Sequence, residues 1–267
     1  MIYNAVNGTV DIGGATMDYI SFGKGKRNLI LLPGLGDGLK TVKGMALPMA
    51  LMYRIFAADF KVYVFSGRND MPDGYTTENM AEDLKKAADK LLIEKASLIG
   101  VSMGGMTAQH FAAEYPENTE KLVLAVTCPQ ANDCVKTVVS RWMKMISEVS
   151  FAEFMTDNVK EMYTEKYFRK YRYAVPLVSL ITKPKSYNRF MTMANACITH
   201  NSIDKLDRIA APTLVIGGEK DTVVGAESSY ILAENIKNSK IIMYWEYGHA
   251  LYEEAKDFYA TVKNFLV

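Results

Sequence analysis

Cysteine is scarce in this 267-residue chain: Cys128, Cys134 and Cys197 make an odd count in no metal-ligand spacing. That argues against a disulfide framework and fits reduced thiols in a cytoplasmic protein. Histidine is as scarce. His110, His200 and His249 stand far apart with no H-x-x-x-H pair, so no metal site is expected. Charge of one sign is lacking too. A net charge of +1 gives no electrostatic basis for nucleic acid or an anionic membrane surface. Long apolar runs are missing: none approaches the roughly 20 residues needed to span a bilayer. Residues 1–10 lack the basic-then-apolar order of a secretory signal. These absences leave a cytoplasmic protein whose partner is a small molecule, with no nucleic acid or membrane, and they leave its oligomeric state open.

What is present suits a sizeable core. Apolar residues make up 49% of the chain, and the length fits one large domain or a core carrying an inserted subdomain. Residues 8–12 and 16–22 read as an antiparallel ribbon turning at Gly13-Gly14. Short apolar strands follow at 28–32, 61–65, 96–99 and 121–126, with helical patterns at 77–92 and 106–115 between them. Strands alternating with helices predict a mostly parallel eight-stranded sheet, an α/β fold with helices on both faces. The rhythm stops after Thr127. No convincing strand occurs until 213–217, which is followed by a last strand at 241–245 and a closing helix over 250–267. The organisation read from this is a core over 1–127 and 206–267, with a helical cap inserted at 128–205.

The strand at 96–99 runs into Gly100-Val101-Ser102-Met103-Gly104-Gly105. A serine flanked by glycines two residues either side reads as a sharp strand-to-helix turn that lifts its hydroxyl above the sheet edge. A hydroxyl needs a base to become a nucleophile, and the base needs a carboxylate to fix its tautomer. Each is expected just after a late strand. Asp221 ends the turn Gly218-Glu219-Lys220-Asp221, ahead of its rivals Glu219 and Asp37, and His249 follows Gly248. His110 reads as structural within its helix, and His200 as a core or surface residue of the cap. Oxyanion donors are expected from the N–H groups of Met103, first in its helix, and Leu35, in the glycine-rich loop 33–38.

The Gly100–Gly105 turn followed by Ala108-Gln109, the run from Asp204 through Leu206, Ile209 and Pro212-Thr213-Leu214-Val215-Ile216 to Asp221, and Gly248-His249 together resemble the α/β-hydrolase superfamily. The subgroup they are similar to comprises small capped esterases, lactone hydrolases and C–C-bond hydrolases. The resemblance implies the α/β-hydrolase fold, the triad Ser102, Asp221 and His249, and no cofactor. Two departures stand out. Pro33-Gly34 replaces the family's His-Gly, and Ser66-Gly67-Arg68-Asn69-Asp70 replaces its Asp-x-Arg-Gly.

The cap residues Trp142, Met145, Phe154 and Met155 are expected to line the pocket, with Met143, Phe151 and Met162 as further candidates. The basic and aromatic run from Lys166 to Tyr173 reads as a solvated helix face with its tyrosines packed beneath. The function read from all this is a serine hydrolase of the carboxylesterase kind. It would cleave a small ester or related acyl compound through an acyl-enzyme. The alternatives are a peptidase or amidase, an acyltransferase, a C–C-bond hydrolase, or a hydrolase-fold sensor acting through a protein partner.

Overall fold

The computed structural model describes residues 2–267; Met1, at the head of the expected first core segment, lies outside the described residues. The chain runs β1 (Val6–Asp11), β2 (Thr16–Phe22), β3 (Arg27–Leu32), α1 (Ala46–Met52), β4 (Phe60–Arg68), α2 (Thr77–Lys90), β5 (Ala96–Val101), α3 (Met103–Glu114) and β6 (Thr119–Ala125). Helices alone follow: α4 (Asp133–Glu148), α5 (Phe151–Met162), α6 (Glu165–Tyr171), α7 (Val175–Thr182) and α8 (Asn188–Ile198). The chain then closes with β7 (Thr213–Gly218), α9 (Glu227–Asn235), β8 (Ser239–Tyr244), α10 (Leu251–Glu254) and α11 (Phe258–Leu266).

The strands form one eight-stranded sheet in the order β1-β2-β4-β3-β5-β6-β7-β8. The β1–β2 and β2–β4 pairs are antiparallel, and the others are parallel. Along β5 and β6 successive side chains alternate between two buried clusters. Leu98, Leu122 and Leu124 join one with α2, α3 and α9, while Ile99, Val123 and Ala125 join the other with α1 and α11. A strand buried on both faces must read as a continuous apolar run, and these do. The third cluster lies between the helical cap and the sheet edge, where Val138, Trp142 and Phe154 meet Met103 and Met106. Among the described residues no helix is long and apolar enough to cross a membrane.

The closing segment differs from its sequence reading. Leu251, Ala255, Phe258, Val262 and Leu266 fall in phase on one face, so periodicity predicts a single helix. The backbone instead extends at Ala255, with ψ at 114°, and two helices result. Tertiary contacts override the period here. Glu254 accepts bonds from Thr164 N–H (2.9 Å) and Thr164 Oγ (2.6 Å), which tie α10 to the start of α6 in the cap. The last strand ends at Tyr244, and Trp245 is exposed beyond it.

The two ends of the cap stretch are fastened by a buried polar knot. Ser202 Oγ lies 2.7 Å from Gln109 Oε1, and Gln109 Nε2 donates to Cys128 O at 3.1 Å. His200 shares a 2.8 Å bond with Thr77 Oγ and sits edge-on to His110, with ring centroids 5.3 Å apart. Burial first, and the His110 ring second, lower the His200 imidazole from an ordinary 6.5 to about 3. The folded protein therefore keeps His200 neutral where the unfolded chain protonates it. Its contribution to stability is fully present above about pH 6.5 and is lost as pH falls toward 3, at about 1.4 kcal/mol per unit for this one group. Melting of the wild type between pH 7 and 4.5 should show a steeper acid decline than His200→Gln; equal slopes would exclude His200 as the source.

Candidate active site

The strand β5 ends at Val101, and α3 begins at Met103. Ser102 between them adopts φ 54° and ψ −120°, a conformation that L residues hold only under constraint. The constraint is visible: Ser102 N–H donates to Ala125 O at 2.9 Å, and Thr127 Oγ donates to Ser102 O at 2.8 Å. Glycine is required around it for space. A Cβ on Gly104 would stand 2.1 Å from Leu32 O, and one on Gly100 would stand 2.6 Å from Gly104 O.

His249 and Asp221 are both buried, at the ends of β8 and β7. His249 Nδ1 lies 2.9 Å from Asp221 Oδ2, and His249 Nε2 lies 2.9 Å from Ser102 Oγ. An ionised carboxylate can only accept, which places the proton on Nδ1 and leaves Nε2 to accept from the serine hydroxyl. The other oxygen of Asp221 accepts from Val223 N–H (2.9 Å) and Val224 N–H (3.0 Å), so the carboxylate is held at both ends. The cap steadies the histidine loop as well, because Ala250 N–H donates to Met162 O at 2.9 Å. Neither His110 nor His200 bonds to Ser102. Glu219 is engaged by Tyr230, and Asp37 by Arg189.

The loop after β3 crosses directly over the nucleophile. A Cβ placed on Gly34 would lie 3.3 Å from Ser102 Cβ and 3.8 Å from its Oγ. Leu35 then opens a one-turn helix, Leu35–Gly38. Met103 is the first residue of α3, where a helix N–H has no acceptor one turn back.

This loop is clamped by a residue that the sequence did not single out. Arg189, on cap helix α8, pairs with Asp37 Oδ2 at 2.6 Å and donates to Asp37 O (3.0 Å), Gly67 O (2.9 Å) and Arg68 O (2.5 Å). Gly67 N–H also donates to Asp37 Oδ2 at 3.0 Å. The atypical Ser66–Asp70 segment is thus joined to the Leu35 loop through a cap arginine. An arginine 121 residues beyond Arg68 gave no local signal.

A cavity of about 410 Å³ opens beside Ser102 and His249. Trp142, Phe154, Met155 and Met162 line it, as do Asn158 and Phe190. Met145, Met143 and Phe151 do not. They pack in the same cluster between cap and sheet as Trp142 and Phe154 but do not reach the cavity wall. More of the lining comes from core residues that the sequence reading left unassigned: Met45, Met49, Met52 and Tyr53 around α1, and Tyr252 and Glu253 on α10. The methionines lie at i, i+4 and i+7, but α1 is apolar throughout, so this spacing marks no face in the sequence. Glu253 accepts from Tyr163 OH at 2.5 Å. Desolvation, with Glu254 adding to it, raises the Glu253 carboxyl above its ordinary value against the Tyr163 and Tyr252 hydroxyls.

The sequence matches the family described as "alpha/beta hydrolase fold" over residues 27–256. The chain belongs to the α/β-hydrolase family. The hydrolase is 27% identical to a 2-hydroxy-6-oxononadienedioate/2-hydroxy-6-oxononatrienedioate hydrolase of Paraburkholderia xenovorans (strain LB400), over 95% of this chain and 91% of that one. It is 25% identical to the proline iminopeptidase PfmaB of Pestalotiopsis fici, over 93% and 94% of the two chains. Among solved structures, the enol-lactonase from Burkholderia xenovorans LB400 superposes with a TM-score of 0.81 at 19% identity, covering 97% of this chain and 99% of that one, a likeness of fold.

Proposed function

We propose that this hydrolase cleaves carboxylic esters with an uncharged, apolar acyl or alcohol group through a covalent acyl-enzyme. The observation that carries this is the continuous path from Asp221 through His249 to Ser102 Oγ, opening on a largely apolar cavity. His249 takes the Ser102 proton as Oγ attacks the ester carbonyl. The N–H groups of Leu35 and Met103 receive the oxyanion, aided by the positive end of α3. His249 then protonates the leaving alcohol and activates the water that frees the acid. Residues 128–205 act as the cap unit over a core of 1–127 and 206–267.

Charge in the pocket supports the ester reading over cleavage of C–C bonds in dicarboxylates, the substrates named for several relatives. Among the described lining residues the charged groups are Asp37, Lys40 and Glu253. Asp37 is paired with Arg189, Lys40 is exposed, and Glu253 meets an incoming anion with like charge. A fluorophosphonate should label Ser102, and p-nitrophenyl esters of neutral acyl chains should turn over faster than those bearing a terminal carboxylate. Glu253→Gln should raise kcat/KM for the carboxylate-bearing esters about fivefold relative to the neutral ones, the effect of removing roughly 1 kcal/mol of screened repulsion. An unchanged ratio would remove Glu253 from substrate selection. Preferred turnover of a vinylogous dicarboxylate would overturn the ester reading itself.

A further inference from the structure

Cap helix α7 is inside out. Its sequence, Val-Pro-Leu-Val-Ser-Leu-Ile-Thr, buries the polar Ser179, whose Oγ donates to Val175 O at 2.8 Å. The apolar residues face outward: Leu177 is 66% exposed, Val178 51%, Leu180 79% and Ile181 88%. Water does not favour that arrangement, and contiguous exposed apolar side chains mark an interaction site. The surroundings are as distinctive. Between residues 163 and 187 six basic residues, Lys166, Arg169, Lys170, Arg172, Lys183 and Lys185, stand against one acidic residue, Glu165, and all are exposed. Tyr173, 74% exposed, sits at the same end, with the Arg172 guanidinium over its ring.

We propose that the cap of this hydrolase docks on an anionic lipid surface through α7. An apolar ridge flanked by lysine and arginine, with a tyrosine at its edge, matches the acyl boundary, the headgroup charge and the interface of such a surface in turn. Charge decides against a second copy as the occupant, because two such faces would set six cations against six. The near-neutral total conceals this patch, since acidic residues elsewhere offset it. Placement gives docking a use. Helix α7 packs on α5, and α5 supplies Phe154, Met155, Asn158 and Met162 to the cavity. Docking would set the pocket one helix behind the lipid boundary, where apolar esters concentrate. This inference does not depend on which bond Ser102 breaks.

The test is co-sedimentation of the full chain with phosphatidylcholine vesicles, with and without phosphatidylglycerol, at low and high salt. Binding is expected with the anionic vesicles at low salt and should weaken as salt screens it. Leu180→Ser/Ile181→Ser should weaken it more than tenfold, and Lys183→Gln/Lys185→Gln by at least tenfold, at about fivefold per lysine. Both variants should hydrolyse a water-soluble ester as the wild type does. Failure of the wild type to bind anionic vesicles would overturn the proposal. So would a wild-type dimer that the Leu180→Ser/Ile181→Ser variant dissolves, or an equally tight interaction in both variants.

Discussion

Replacing Ser102 by alanine should lower kcat for p-nitrophenyl acetate by roughly four to six orders of magnitude, with KM little changed. The size follows from the relay being a unit, since removing one member of such a triad forfeits nearly all the rate that the set provides. What remains should come from the N–H groups of Leu35 and Met103, which do not depend on the hydroxyl. Stability should not fall. Alanine keeps the same Cβ on the same strained backbone, and the bonds that hold the turn, Ser102 N–H to Ala125 O and Thr127 Oγ to Ser102 O, use main-chain atoms of residue 102. The variant should therefore melt with the wild type. His249→Ala should lose a similar factor, and the double variant hardly more. Steady-state kinetics on purified variants, with loss of fluorophosphonate labelling, checks all three. Turnover of Ser102→Ala within tenfold of the wild type would sink the acyl-enzyme mechanism.

How far the sequence carried this reading depended on how local each signal was. The Ser102 turn was legible because it is a backbone constraint written in adjacent glycines. Gly100 and Gly104 leave no room for a Cβ, and any reader of the chain sees them. Strands β5 and β6 were legible because burial on both faces demands an unbroken apolar run. The pocket was legible only on its cap side. Trp142, Phe154 and Met155 stood out by type. Met145 shares its cluster with Trp142, three residues away, yet stops short of the cavity, and residue type and spacing do not tell the two apart. The lining from α1 was not read at all, since that helix is apolar throughout and shows no polar face. The break at Ala255 and the outward ridge of α7 are likewise set by tertiary partners. Periodicity assigns an apolar face to the interior by default, and in α7 that default is reversed.

Arg189 is the second place where a large effect is expected, and it decides how the atypical core loop works. Arg189→Ala should destabilise the protein by about 3–5 kcal/mol, the cost of leaving a buried carboxylate without its partner. For a chain of this size that lowers the melting temperature on the order of 10 °C. Asp37 is nearly fully buried, and its Oδ1 has no protein partner, so Gly67 N–H would be the main compensation left to its carboxylate. Activity should fall as well, and in kcat more than in KM. Asp37 follows Leu35 by two residues, and freeing it loosens the loop that carries one proposed oxyanion donor above Ser102. Arg189→Lys should recover only part of both losses, because one ammonium cannot match a planar fork that meets Asp37 Oδ2 and three main-chain carbonyls. A double-mutant cycle with Asp37→Asn isolates the pair and should give a coupling of about 2 kcal/mol or more. A loss under about 1 kcal/mol with kcat unchanged would show that the oxyanion loop holds its place without the cap. If the coupling is found, the cap of this hydrolase orders the catalytic loop as well as shaping the pocket. The arginine clamp then takes over the bracing that the family's usual Asp-x-Arg-Gly segment would be expected to give from within the core.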